Sequence, residues 1–168
     1  MTERIHINNA GIILFAPLLG TYFSRLSMLK DGDFITEADR ERAVHLLAYI
    51  VDGLPTHEEH LLVLNKILCN MPLAYAITAG IELTNIEVEV TAQLYGAMQQ
   101  QWPQIKNSSF DGFRVSFLQR DGILTLGEEG WNLVVEQRAY DVLLQTLPWG
   151  YGMIKTPWMD KILTATWT

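Results

Sequence analysis

Four consecutive residues, His57-Glu58-Glu59-His60, carry the side chains best suited to chemistry in this sequence. Two imidazoles with carboxylates between them are the raw material of a metal site. A zinc-protease helix, however, needs histidines at i and i+4 with a glutamate beside the first, and these stand at i and i+3. Directly behind Thr56, the same residues read as the acidic first turn of a helix, where carboxylates meet the positive end of the macrodipole. A small metal-dependent hydrolase built on His57 and His60 is the alternative this cluster keeps open. The adopted reading is that the protein is not an enzyme, with no catalytic, cofactor-binding or metal residue.

Other reactive groups lack the neighbours that would activate them. Cys69 with His45 would make a nucleophile and base, yet Cys69 sits among Ile67, Leu68 and Met71, the setting of a buried small hydrophobe. Ser27, Ser108, Ser109 and Ser116 have no nucleophile-elbow context. Neither G-x-G-x-x-G nor G-x-x-x-x-G-K-[ST] occurs, so no glycine loop is built to cradle phosphates.

Helix starts are the clearest local signals, each a hydroxyl residue with an acidic residue three positions on. Thr36 with Asp39 opens a helix whose apolar residues Ala43, Leu46, Leu47, Ile50 and Val51 share one face, ended by Gly53 and Pro55. Thr56 with Glu59 opens a second, through Leu61, Leu64 and Leu68 to Pro72. Thr84 with Glu87 opens a third, striped by Ile86, Val90, Leu94, Ala97 and Met98 and stopped at Pro103. Ser108 with Asp111 opens a fourth and shorter helix, although Phe113, Val115 and Phe117 also alternate as in a strand. Upstream, a helix over 10–29 places Leu14, Leu18, Tyr22, Leu26 and Leu29 on one face, with Pro17 starting or kinking it, and Asp31-Gly32 turns the chain.

After Arg120 the period changes to two, in Leu124 and Leu126 and then Trp131, Leu133 and Val135, joined by a Gly127–Gly130 hairpin loop. A helix over 139–147 and a short strand around 150–154 complete the reading: an α+β, mostly helical single domain over 1–168, with a small antiparallel sheet near the C-terminus.

The sequence has 168 residues, 49% hydrophobic and 18% charged, enough to bury roughly 70% of its unfolded surface. A formal charge of −7 disfavours both nucleic acid and anionic lipid as partners. The longest apolar run, Ile12 to Leu19, is too short to span a bilayer and is broken by Pro17, and no signal-peptide pattern precedes it. Five tryptophans are many for this length, and they either close a core or anchor another protein. Trp131 and Trp149 are expected in the core. Trp158, Met159 and Trp167 are the candidate partner contacts, together with Asn65, whose amide on the Leu61, Leu64, Leu68 stripe needs either a core hydrogen bond or a partner.

Several blocks, taken in order, resemble one family. They are Ile7-Asn8-Asn9-Ala10-Gly11-Ile12-Ile13-Leu14; Arg42-Ala43-Val44-His45-Leu46-Leu47; Leu62-Val63-Leu64-Asn65-Lys66-Ile67-Leu68-Cys69; Trp102-Pro103 with Lys106-Asn107-Ser108-Ser109; Ser116-Phe117-Leu118-Gln119-Arg120-Asp121-Gly122; Arg138-Ala139-Tyr140-Asp141-Val142-Leu143-Leu144; and Leu147-Pro148-Trp149 with Pro157-Trp158-Met159. The family is the contractile injection system tape measure proteins of bacterial phage-tail-like particles. The resemblance implies a non-catalytic role in inner-tube length control or assembly, with tube, cap, baseplate or spike components as partners. It implies assembly in the bacterial cytoplasm and later residence in released extracellular particles. Family members are generally longer, so the chain is expected to be either a domain of a longer protein or a short relative, and an adaptor or chaperone for assembly is a further alternative.

Overall fold

The computed structural model describes residues 3–168, and its longer helices begin where the sequence supplies caps. Strand β1 (Arg4–Ile7) leads through a fully buried 3-10 segment, Ala10–Phe15, into α1 (Ala16–Arg25), which Pro17 helps to start rather than kinks. The helix expected to continue to residue 29 stops at Arg25, because Ser27 takes φ +59° and turns the chain. Leu29 instead belongs to β2 (Leu29–Lys30), paired with β3 (Asp33–Phe34). Asp31 and Gly32 both have positive φ between them, as a two-residue hairpin with right-handed strand twist requires.

In α2 (Glu37–Asp52), Thr36 Oγ1 accepts the Asp39 amide at 3.0 Å, and Gly53 closes the helix in the left-handed region. Helix α3 (Val63–Leu68) follows a 3-10 turn over Glu59–Leu62 and departs from expectation. Thr56 does not cap it, because Thr56 bridges to Gly80, and Glu59 instead accepts Lys66 Nζ and the Ile77 amide, both at 3.1 Å. Helix α4 (Asn85–Gln101) carries the expected capping box of Thr84 and Glu87. Helix α5 (Phe110–Phe113) is capped by Ser109, one residue later than expected, and runs on as a π-helix over Arg114–Leu118, so this segment is helical and not a strand.

The strands β4 (Gly122–Leu126), β5 (Gly130–Val135), β6 (Met153–Ile154) and β7 (Ile162–Trp167) join β1 in one sheet of order β1-β4-β5-β7-β6. The fold is α+β, but the sheet is neither confined to the C-terminal end nor purely antiparallel. Its first edge comes from the N-terminus, and β5 pairs with β7 in parallel. The crossover between them contains the segment Ala139–Thr146, which is a 3-10 helix.

One hydrophobic cluster fills the interior between helices and sheet. Buried arginines fasten it by capping helix ends, where carbonyls lack partners. Arg114 donates to the carbonyls of Ile50 and Tyr49 at the end of α2, and Arg40 donates to Cys69 O at the end of α3. Arg120, fully buried, holds Asp141 with both terminal nitrogens, at 2.8 and 2.5 Å, and donates to Glu136 O and Ser116 O.

Candidate functional site

The histidine cluster does not converge. His57 turns inward, its side chain 8% exposed and its Nε2 2.7 Å from Asp52 Oδ2, whereas the His60 side chain is 71% exposed beside Glu58. Among the described residues no group of three or more His, Cys, Asp or Glu is placed to hold a metal ion. The His57 side borders a cavity of about 340 Å³, shared with Asn9, Gln119 and Asp121.

Cys69 is fully buried, and burial pushes its thiol above the ordinary range, so a nucleophilic thiolate is disfavoured there. His45 is buried too, with Nε2 3.3 Å from Thr78 Oγ1. Burial lowers its pKa, against a smaller opposing effect of Glu41. No hydrogen bond among the described residues joins His45 to Cys69.

The four candidate partner contacts lie in different surroundings. Asn65 has no exposed surface; its Oδ1 accepts Asn9 Nδ2 at 2.6 Å and its Nδ2 donates to Val44 O at 3.0 Å. The amide thus ties the chain before α1 to the middle of α2, a core role for a polar group on an apolar stripe. Trp158 is buried against Phe23 and Phe34, with ring centroids 5.8 and 5.5 Å away, and donates from Nε1 to Leu68 O at 2.7 Å. Met159 is buried beside it, its sulfur 3.5 Å from the Thr156 amide. Trp167 is partly exposed at the end of β7, edge-on to Tyr151, with the Arg120 guanidinium 5.3 Å from its ring centre. Its Nε1 is buried without a hydrogen-bond partner.

Trp131 and Trp149 are both partly exposed and pack at the margin of the core, Trp149 donating to Leu14 O at 3.0 Å. The fully buried tryptophan is Trp102, which donates to Thr146 Oγ1. What the C-terminal segment turns outward is therefore not its indoles but Met153, Lys155 and Pro157, which form one wall of an open groove facing α1. Sequence reading missed these three residues. Residue type does not single them out, because Met153 and the buried Ile154 are both apolar and only the fold makes exposed and buried positions alternate from Met153 to Trp158.

No curated protein and no solved structure matches the chain. One family model does, over residues 1–167, and its description agrees with the ordered blocks from Ile7 to Met159. A match of that extent covers both edges of the sheet and every helix described above, and on it the chain belongs to the contractile injection system tape measure protein family.

Proposed function

We propose that this protein is a non-catalytic part of a contractile injection particle that binds tube, cap or baseplate components during inner-tube assembly. The family match over residues 1–167 is the observation that carries this reading. A folded block of 168 residues has a radius of gyration of about 15 Å, whereas the same chain as one helix would reach about 250 Å. Residues 1–168 therefore suit attachment better than measurement, and their share in length control is to hold a partner in register. This applies whether the block acts alone or within a longer protein. Assembly takes place in the bacterial cytoplasm in this reading, and the block stays with the released particle.

The test is affinity capture of the tagged chain from cells that express the neighbouring particle genes, with mass spectrometry of what is retained. Recovery of tube, cap or baseplate proteins is expected. A folded bait that returns none of them overturns the reading. Presence of the chain in purified particles separates a resident component from an assembly chaperone, which leaves before completion.

A further inference from the structure

Between α1 and the segment from Gly150 to Trp158 runs an open groove of about 710 Å³. Its α1 wall is low, because Ala16, Gly20 and Ser24 recur every four residues, and a Cβ built on Gly20 would meet nothing within 4 Å. Its other wall is the edge strand β6. Met153, at 70% the most exposed large apolar residue described, stands on that strand.

The β6 edge is open for pairing. Gly152 O accepts the Ala165 amide at 2.9 Å, and Met153 lies opposite Thr164. In an antiparallel ladder, hydrogen-bonded and non-bonded positions alternate, so the amide and carbonyl of Met153 point away from β7. Unpaired groups of this kind recruit a strand.

Charge selects the occupant. The chain carries −7, yet the groove is lined by Arg25 and Lys155 and by no carboxylate. Neither cation is in an ion pair among the described residues: Arg25 donates to Gln93 and Lys155 to Thr156 O. A second copy pairing through β6 would bring the cations of both grooves to one seam with no carboxylate to neutralise them, because neither groove is lined by an Asp or Glu, and this opposes self-pairing. We propose that the groove takes an acidic, extended segment of a protein partner, which adds as a strand to β6 with alternate side chains set over Gly20 and its acidic groups at Arg25 and Lys155. That the partner belongs to an injection particle rests on the function proposed above; the groove's preference for acidic strands does not.

The experiment titrates the isotopically labelled full chain with acetyl-Glu-Val-Glu-Val-Glu-amide and, separately, with its lysine counterpart, following amide shifts. Shifts from the acidic peptide centred on Met153, Lys155 and Gly20 are expected, with little response to the basic one. Gly20→Leu, which fills the groove from a position with free space, abolishes them, and Lys155→Glu weakens binding about tenfold. Absent shifts, equal response to both peptides, or indifference to Gly20→Leu overturns the proposal. So does a dimer that sediments as such and is dissolved by Gly20→Leu. Particle proteins captured equally by wild type and Gly20→Leu leave the assembly role standing while the groove assignment falls; peptide binding without capture does the reverse.

Discussion

At the scale of single residues, Asn65 shows why a polar side chain on an apolar stripe does not by itself mark a surface. Its bonds to Asn9 and Val44 satisfy an amide that burial would otherwise leave costly. Asn65→Ala leaves Asn9 Nδ2 without its acceptor, and a loss of about 2–3 kcal/mol is expected in urea unfolding. A change below about 0.5 kcal/mol would refute the core role. His45 makes a second prediction, through pH. Burial lowers its pKa from 6.5, helped by His57 and Arg42 and opposed by Glu41. The unfolded chain therefore binds a proton near pH 6.5 that the folded state resists, so the contribution of neutral His45 is complete above that pH and is lost as pH falls below it. His45→Gln is expected to flatten the dependence of stability between about pH 7 and 5 relative to wild type. Equal slopes by urea titration at each pH would show that His45 does not govern this window.

At the scale of elements, caps behaved as local chemistry dictates where nothing distant competed. Thr36 and Thr84 have their acidic partners within one turn and open α2 and α4. Thr56 carries the same signature, but it is held in a bridge opposite Gly80 by its neighbours, the His57 amide donating to Ala79 O and the Ile81 amide to Pro55 O, and Glu59 is drawn to Lys66 and Ile77. The bonds from Ile77 and from Lys66 also hold the Glu59 carboxyl below its usual range. Packing separates two glycines in the same way. A Cβ on Gly11 would fall 1.6 Å from Phe117 O, where the buried 3-10 segment crosses the π-helix, so Gly11→Ala is expected to abolish soluble, cooperatively folding protein. Gly20→Ala, inside α1 with open space around it, is expected to raise stability by about 0.5–1 kcal/mol, measured by thermal or urea unfolding. Similar behaviour of the two variants would contradict the placement of α1.

At the scale of the whole molecule, the last strand in sequence is not the last in space. Strand β7 lies between β5 and β6, with six residue pairs to β5, and places Trp167 beside the buried Arg120. A chain ending at Asp160 loses that interior strand, and it is expected to retain helical far-ultraviolet dichroism while losing cooperative unfolding and near-ultraviolet signal. A sharp two-state transition in the truncated chain would show that β7 is dispensable. The buried pair of Arg120 and Asp141 belongs to the same seam: desolvation raises the Asp141 pKa, but the Arg120 guanidinium and the Arg138 amide and charge together outweigh it and hold the carboxyl below its usual range.

The sequence alone determined the α2 and α4 caps, the Asp31-Gly32 turn, the β4–β5 hairpin, the burial of Cys69 and the family, because each depends on neighbours within a few residues or on the order of blocks along the chain. Tertiary structure decided what depends on distant contacts. It enlarged the sheet with β1, a four-residue strand with a single buried residue and hence little periodic signal, and with β7, whose Leu163 and Ala165 alternate with threonines but whose parallel partner is reached only across a long crossover. It also turned Trp158 and Met159 inward and Met153 and Lys155 outward. Residue type measures how much a side chain gains from burial, but which of several apolar residues is buried depends on the space left by α1, β3 and the rest of the fold.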